Sequence, residues 1–201
     1  MENSEKHLQD IAEIKQMMER SSRFISLSGW SGVSAGIFAL LGAFAAYWLM
    51  QTYTGRSLEL YLAGDAIIVL ILALSTSLYF SWRKARKQGA TLWSPLTRKL
   101  LLNMAIPLVT GGIYSAILFT QGQVHLIAGS TLIFYGLALI NAGRFINREA
   151  VILGIAEIIL GIAASIWYAY GFWIWGCGFG LFHIVYGITL YHKYDRPRTH
   201  E

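Results

Sequence analysis

Residues 100–143 read LLLNMAIPLVTGGIYSAILFTQGQVHLIAGSTLIFYGLALINAG, and this stretch decides the fold. It contains no Asp, Glu, Lys or Arg. It is too long for one membrane-spanning helix, which needs about 20 apolar residues to cross a hydrocarbon core about 30 Å thick. The turn-forming segment Gln121-Gly122-Gln123 divides it near the middle. The stretch therefore predicts two membrane-spanning helices joined by a short turn.

The rest of the chain has the same character. Hydrophobic residues make up 55% of the sequence and charged residues 13%, about half of the roughly 25% found in a soluble domain. A soluble or disordered protein is therefore excluded. The single cysteine, Cys177, excludes an internal disulfide framework. Asp65 and Glu157 are the only acids in the remaining apolar stretches 24–55, 60–82 and 150–192, the last of which has a predicted turn around Tyr170-Gly171.

We predict an all-α fold, a six-span transmembrane bundle built from three helical hairpins. Helices are the spanning structure that fits, because the alternating pattern of a membrane β-barrel is absent from the sequence. The transmembrane domain covers 26–192, between a cytoplasmic amphipathic helix at 1–25 and a cytoplasmic tail at 193–201. The predicted spans lie near residues 29–50, 61–82, 101–120, 124–143, 150–169 and 172–192.

Loop charges predict the orientation of the chain. All but one of the sixteen Lys and Arg residues flank the spans on the side of the two termini, and Arg56 lies opposite. The positive-inside rule then predicts that both termini lie in the cytoplasm. The cluster Arg83, Lys84, Arg86 and Lys87 is interpreted as a contact for anionic lipid or for a partner protein. We expect no nucleic-acid partner.

Residues 1–25 predict an amphipathic helix, because their apolar residues recur at helical spacing. We expect this helix to lie against the membrane or another protein. Two alternatives stay open: packing on the cytoplasmic end of its own bundle, and self-association as a short coiled coil in a homo-oligomer. The apolar residues are Leu8, Ile11, Ile14, Met18 and Ile25.

Small residues recur at matching places in the spans and indicate a hairpin repeated three times. Such residues let helix backbones approach closely where lipid supplies no hydrophobic drive. Within the third hairpin we expect Gly161 to face Gly180 and Gly154 to face Gly187 or its neighbour. The segments 129–136 and 180–187 share the pattern G-x-x-x-I-x-Y-G, and the odd-numbered spans share a second template at Ala35…Gly42, Ala105…Gly112 and Gly154…Gly161.

Two spans carry an ionisable residue at depth, Glu157 and His183. Both are equally distant from the predicted turn centre at Tyr170, so we expect them at the same depth and in contact. An ionisable group inside the membrane is costly unless it is paired or hydrated. This pair is the candidate site, and its hypothesised role is to take up a proton and bias the third hairpin between two arrangements. The alternative is a polar contact that only fixes helix register.

Other polar residues in the spans are secondary candidates, namely Asp65, Asn103 and Asn141. The zinc-protease pattern H-E-x-x-H and the P-loop pattern are missing from the sequence. We assign no catalytic, cofactor-binding or metal-binding residue. The expectation is a protein that is not an enzyme and uses no cofactor.

Two segments of the chain resemble a known family. They read Met18-Glu-Arg-Ser-Ser-Arg-Phe-Ile-Ser-Leu-Ser-Gly29 and His183-Ile-Val-Tyr-Gly-Ile-Thr-Leu-Tyr191. Both are similar to an uncharacterised family of small multi-pass bacterial membrane proteins of the Bacteroidota. In architecture alone, the three expected hairpins also resemble the HdeD-like acid-resistance membrane proteins, from which the N-terminal helix and the basic loop at 83–99 depart. The resemblance implies a multi-pass membrane fold and no particular activity.

These observations predict a non-enzymatic inner-membrane protein, a sensor or interaction protein that contacts a cytoplasmic partner or a second copy. The alternative is a small proton-linked carrier or channel that uses Glu157 and His183. One deep polar pair in six spans favours the first interpretation, because a wide transport pathway is lined by more polar groups.

Overall fold

The computed structural model describes residues 27–89, 93–143 and 145–196. Within these residues six helices are long and apolar enough to cross a membrane. The helix predicted over 1–25 and the tail beyond residue 196 lie outside the described residues. The six helices are α1 (Gly29–Thr52), α2 (Gly55–Lys87), α3 (Pro95–Thr120), α4 (Val124–Gly143), α5 (Arg148–Ile166) and α6 (Tyr168–Asp195).

Each predicted span falls on one of these helices, and two helices extend well beyond their span. α2 continues through its basic residues to Lys87, because Lys and Arg are good helix formers. α3 begins at Pro95, where the fixed φ of proline suits a first turn and the Ser94 hydroxyl accepts the Thr97 N–H at 3.1 Å. The predicted turn between α3 and α4 is confirmed, since Gly122 has a φ of +73°, a conformation that favours glycine.

The predicted turn around Tyr170-Gly171 begins earlier than expected, at Trp167. α5 ends at Ile166, Trp167 is non-helical with φ −104° and ψ 60°, and Tyr170, the predicted centre, lies outside the α-helical region with φ −103° and ψ 2°. Gly171 is already helical with a φ of −52°. The helix that follows is irregular: a 3₁₀ turn Tyr168–Tyr170, α-helical Gly171–Trp175, π-helical Gly176–Phe182, α-helical His183–Leu190 and π-helical Tyr191–Asp195.

α4 and α5 pack so closely that their backbones touch. A Cβ atom placed on Gly136 would lie 2.5 Å from the Gly154 carbonyl oxygen, and one on Gly161 would lie 2.7 Å from the Gly129 carbonyl oxygen. These distances leave no room for a methyl group. Glycines at the same spacing in both helices therefore set the distance between α4 and α5, as expected where helices associate in lipid through small residues.

α1 and α6 pack in the same way. A Cβ atom on Gly36 would lie 2.5 Å from the Gly180 carbonyl oxygen, and one on Gly29 would lie 2.5 Å from the Gly187 carbonyl oxygen. The contact of α1 with α6 therefore uses Gly29, Gly32 and Gly36, of which Gly32-x-x-x-Gly36 is a small-residue pattern visible in the sequence. Gly42 of the predicted Ala35…Gly42 template packs instead against Val69 of α2. The antiparallel pairs α1–α6 and α4–α5 are thus packed in the same way, with glycines of one helix against the backbone of the other.

α2 and α3 are added at the sides of these pairs. Val69 of α2 packs over Gly42 of α1, and Phe134 of α4 packs over Gly111 of α3. The rest of α2 is largely uncovered within the described structure. Its uncovered side chains are large and apolar, as expected for a surface that faces lipid: Ile67, Ile68, Leu70, Ile71, Leu74 and Leu78.

The glycine contacts predicted inside the third hairpin are wrong. Gly161 does not face Gly180, and Gly154 does not face Gly187 or its neighbour. Gly154 and Gly161 face α4 instead, and Gly180 and Gly187 face α1. Spacing along a helix shows which residues share a face. It does not show which neighbouring helix that face meets.

The close approach of α4 and α5 predicts the effect of adding one methyl group. Gly136→Ala should lower the free energy of unfolding by about 1–3 kcal/mol, the usual cost of overpacking, because its Cβ meets backbone that has no rotamer to change. Gly64→Ala is the matched control, since a Cβ there has nothing within 4 Å, and it should cause no loss. Unfolding of both variants in mixed micelles, followed by circular dichroism, measures the difference. Equal losses of unfolding free energy in the two variants would contradict the conclusion that glycines set the distance between α4 and α5.

Candidate functional site

Glu157 of α5 and His183 of α6 meet in the interior of the bundle. Glu157 is fully buried and His183 is 5% exposed, and His183 Nδ1 lies 3.4 Å from Glu157 Oε1. Among the buried polar side chains of the described residues, these two are the ionisable ones. The predicted contact between them is confirmed.

The two residues meet by a different route from the one predicted. Because the turn lies at Trp167, Glu157 is fewer residues from it than His183 is. Side chains of an α-helix lean toward the N-terminus of that helix, and α5 and α6 run antiparallel. Glu157 therefore leans away from the turn while His183 leans toward it. The opposite leans favour contact between two residues that are not equally distant from the turn along the chain.

Tyr135 of α4 completes the site. Its hydroxyl lies 2.8 Å from His183 Nε2, and His183 Nδ1 lies 3.1 Å from the Gly178 carbonyl oxygen. A carbonyl oxygen only accepts hydrogen bonds, so Nδ1 carries a proton. In a neutral imidazole Nε2 then accepts from the Tyr135 hydroxyl, and in an imidazolium it donates to that oxygen. Three helices thus bring a carboxyl group, an imidazole and a phenol together.

The π-helical segment of α6 holds Gly178 against the carboxyl group. A Cβ atom on Gly178 would lie 2.5 Å from Glu157 Oε2 and 2.7 Å from Leu132 Cδ2. The same residue offers its carbonyl oxygen to His183. Gly178 therefore positions both members of the pair, in a segment of the π type that is frequent at functional sites.

The Glu157 carboxyl group lacks a well-aligned hydrogen bond within the described part of the chain. Both of its oxygens are shielded from solvent, and the ion pairs of the described residues bring no Lys or Arg to it. A lone carboxylate in such a place is unfavourable. One proton, held by Glu157 or shared with His183, makes the pair electrically neutral. The arrangement is therefore suited to binding a single proton.

Aromatic rings enclose the imidazole. The Phe179 ring is stacked on His183 with a centroid distance of 5.8 Å, and the Tyr135 ring lies 5.3 Å from it. The sequence analysis missed the role of Tyr135, although the shared pattern G-x-x-x-I-x-Y-G contains this residue. The repeated tyrosine was therefore a signal in the sequence. A pattern within one helix, however, does not show which side chain of another helix the tyrosine contacts.

The secondary candidates form no hydrogen bond or ion pair with Glu157 or His183. Asp65 is half-buried in α2, and Asn141 is exposed near the end of α4. Asn103 donates to the Lys99 carbonyl oxygen at 2.8 Å on an exposed face. Within the described residues, no three His, Cys, Asp or Glu side chains are grouped as a metal site.

Residues 32–36 read Gly-Val-Ser-Ala-Gly and match the letters G-x-S-x-G of the serine-hydrolase elbow, a match that the sequence analysis overlooked. In those enzymes the serine sits on a sharp turn between a strand and a helix. Here Ser34 lies inside α1 and donates to the Ser31 carbonyl oxygen at 3.1 Å. The glycines of this segment serve helix packing, and the serine is not presented as a nucleophile.

A second polar cluster lies at one end of the bundle. This end, where α1 begins and α2 and α6 end, is the basic end. Lys84 Nζ lies 2.6 Å from Asp195 Oδ1 and donates to the Leu27 carbonyl oxygen at 2.7 Å. Asp195 Oδ2 accepts the Gly29 N–H at 2.8 Å and the Ser28 hydroxyl at 3.2 Å. Asp195 therefore caps the first turn of α1 from the far end of the chain, which sequence spacing does not reveal.

This cluster separates Lys84 from the other members of the predicted lipid or partner contact. The Lys84 side chain is 11% exposed and forms an internal ion pair. Arg83, Arg86 and Lys87 are exposed on the last turns of α2. The three exposed residues remain available to lipid or to a partner.

The burial of this ion pair predicts its importance for stability. Lys84→Met should lower the free energy of unfolding by about 3 kcal/mol, because it leaves a largely buried carboxylate without its cation. Glu59→Gln is the control, since it breaks the exposed pair with Arg56 and should cost less than about 1 kcal/mol.

Denaturation of the double variant Lys84→Met/Asp195→Asn tests the pairing directly. If the two side chains interact, the loss in the double variant is smaller than the sum of the single losses. Additive losses would show that each residue acts through other contacts.

No protein-family model, no curated protein and no solved structure matches this chain. The resemblances drawn from the two sequence segments therefore stay predictions. The function has to be argued from the chemistry of the site itself.

Proposed function

We propose that this chain is a non-enzymatic sensor or interaction protein of the bacterial inner membrane, and that its Glu157–His183 pair takes up a proton. The observation that carries the proposal is the burial of Glu157, whose carboxyl oxygens face His183 and lack a Lys or Arg partner within the described residues. A group in this setting is stable when the pair holds one proton. Protonation of the Glu157–His183 pair is therefore coupled to the packing of the helices around it.

The coupling follows from charge. With one proton the pair is neutral, either as a carboxylic acid beside a neutral imidazole or as a carboxylate beside an imidazolium. Loss of that proton leaves a net negative charge in surroundings of low dielectric constant, where it is unfavourable. The helices then have to admit water or rearrange. A change of proton concentration thereby becomes a change of helix packing, which is how a protonation switch works.

The distribution of charge supports the orientation that we propose. Among the described residues, Arg56 is the one Lys or Arg at the end of the bundle opposite to the basic end. By the positive-inside rule the basic end is then cytoplasmic, together with both termini. The described Lys and Arg residues of the basic end are Arg83, Lys84, Arg86, Lys87, Arg98, Lys99, Arg148, Lys193 and Arg196.

We propose that the change of helix packing is transmitted to a partner at the basic end. The Lys84–Asp195 pair holds Leu27 and Gly29 at the start of α1, so that a change in the packing of α1 or α6 acts on the point where the chain continues into the segment predicted to contact a protein. The exposed residues Arg83, Arg86 and Lys87 offer a contact for anionic lipid or for the same partner.

Infrared difference spectroscopy of the protein in liposomes tests proton uptake. If Glu157 holds the proton, the wild-type protein should show the carbonyl stretch of one buried protonated carboxyl group that disappears as the pH is raised. If His183 holds it, the bands of the imidazolium ring should disappear instead. Glu157→Gln should remove the titrating signal at every pH, because an amide cannot release a proton in this range and leaves the buried imidazole without a carboxylate to stabilise its charge. Glu59→Gln is the matched control and should leave the signal in place, since Glu59 is paired with the exposed Arg56. A wild-type spectrum without a titrating band that depends on Glu157 would overturn the proposal.

The second candidate function is a proton-linked carrier. The contact between Tyr135 and His183 favours it, because it extends the pair into α4 and places three groups that can carry a proton next to one another. Proton flux into proteoliposomes under an imposed pH gradient separates the two functions. For a sensor, the flux of the wild-type protein equals that of empty vesicles. Flux above this background that disappears in Glu157→Gln would favour the carrier.

A further inference from the structure

We infer that the bundle consists of two three-helix units, α1–α2–α6 and α3–α4–α5, and that protonation at their junction changes how the units sit against one another. This inference rests on the proposed proton uptake and names its structural consequence. Glu157 belongs to one unit and His183 to the other, although α5 and α6 are neighbours in the chain. The predicted third hairpin is thus divided between the units.

The α1–α2–α6 unit is held by backbone contact and by ion pairing. Its helices α1 and α6 touch where Gly36 meets the Gly180 carbonyl oxygen. α2 is attached to α1 through the Ser77 hydroxyl, which donates to the Ser31 carbonyl oxygen at 3.1 Å. At the basic end, Lys84 of α2 pairs with Asp195 of α6, and Asp195 caps α1. Each helix of the unit is therefore fixed to the other two.

The α3–α4–α5 unit is held in the same manner. The glycines of α4 and α5 bring these backbones together at Gly136 and Gly154. α3 is attached to α4 where Phe134 packs over Gly111 and where the Ser115 and Ser130 hydroxyls lie 3.2 Å apart. Close-packed helices of this kind have few alternative arrangements, and they tend to move as a body.

The junction between the units is looser than the contacts of α1 with α6 and of α4 with α5. Near the turn at Trp167, where the backbones do approach, a Cβ atom on Gly171 would lie 3.4 Å from the Ala164 carbonyl oxygen, an ordinary contact distance. At mid-depth the junction consists of Glu157, His183 and Tyr135 with the neighbouring aromatic rings.

Side chains also form the junction at the two ends of the bundle. At the basic end Tyr186 packs on the apolar cluster around Leu100 and Ile146, and Lys193 pairs with Glu149. At the opposite end the guanidinium group of Arg56 lies 5.1 Å from the Phe119 ring centroid. Such contacts can be remade by rotamer changes, whereas the backbone contacts inside each unit cannot.

The direction of the change follows from the groups that face Glu157. From α6 it faces His183, with Tyr186 one turn further along, and from α4 it faces Tyr135. None of these is a permanent cation. With the proton bound the junction is neutral and packs as in this structure. When the proton leaves, the negative charge on Glu157 favours hydration of the junction, and the two units separate or rotate at mid-depth.

Distances between pairs of spin labels in liposomes test this inference. The native Cys177 is exposed and is first replaced by serine. Cysteines for labelling replace Arg86 and His192 in one unit, and Arg98 and Arg148 in the other, all exposed positions at the basic end. The pairs 86–98 and 148–192 span the junction, whereas the pairs 86–192 and 98–148 lie within one unit and serve as matched controls.

We expect both junction-spanning distances to differ between acidic and alkaline pH by at least about 2 Å, the size of known helix shifts in switching proteins. The two within-unit distances should stay the same. Glu157→Gln should keep the acidic-pH distances at both pH values, because its amide is neutral like the protonated acid.

Two results would overturn the inference while the proposed function stands: unchanged junction-spanning distances, or within-unit distances that change as much, in a protein whose Glu157 infrared band titrates. The absence of that band would overturn the proposed function and this inference together. The two failures are therefore distinguishable in the same preparation.

Discussion

The close approach of helix backbones at glycine is the constraint on which the rest of this structure depends. Lipid tails are as apolar as the side chains of the spans, so burial of apolar surface between helices gains little. What remains is dispersion and dipole contact at short range, which requires residues without a side chain. Gly29 and Gly36 in α1 meet Gly187 and Gly180 in α6, and α4 and α5 repeat the arrangement. These contacts decide which helices are partners, and they override the order of the helices along the chain.

The position of the polar site follows from this pairing. Since α5 presents its glycines to α4, and α6 presents its glycines to α1, the faces of α5 and α6 that meet each other are free to carry larger side chains. Glu157 and His183 occupy those faces. Gly178 is the exception, and it leaves space for the carboxyl group where the π-helical segment widens α6. A site for one proton thus lies where the two tightly packed pairs of helices adjoin.

Much of the fold was predictable because membrane helices are long, continuous and apolar. The turn at Gly122 was predictable from its residue types, and the break near Tyr170 was predicted close to its place, although it begins at Trp167 and Gly171 is already helical. Glu157 and His183 stood out as ionisable residues in apolar surroundings, and their contact is confirmed. Equal distance from the turn does not explain this contact by itself, because the side chains of antiparallel helices lean in opposite directions.

Composition within single segments was enough to predict the six apolar helices of the described residues, the segregation of positive charge and the deep ionisable pair. Packing in three dimensions was needed to show that Gly154 and Gly161 of α5 and Gly180 and Gly187 of α6 contact different helices, that Tyr135 reaches His183, and that Asp195 joins Lys84 and the first turn of α1. This difference arises because a helix presents several faces to its surroundings. The residues on a face can be read from spacing, whereas the neighbour of that face is settled by how all six helices pack at once.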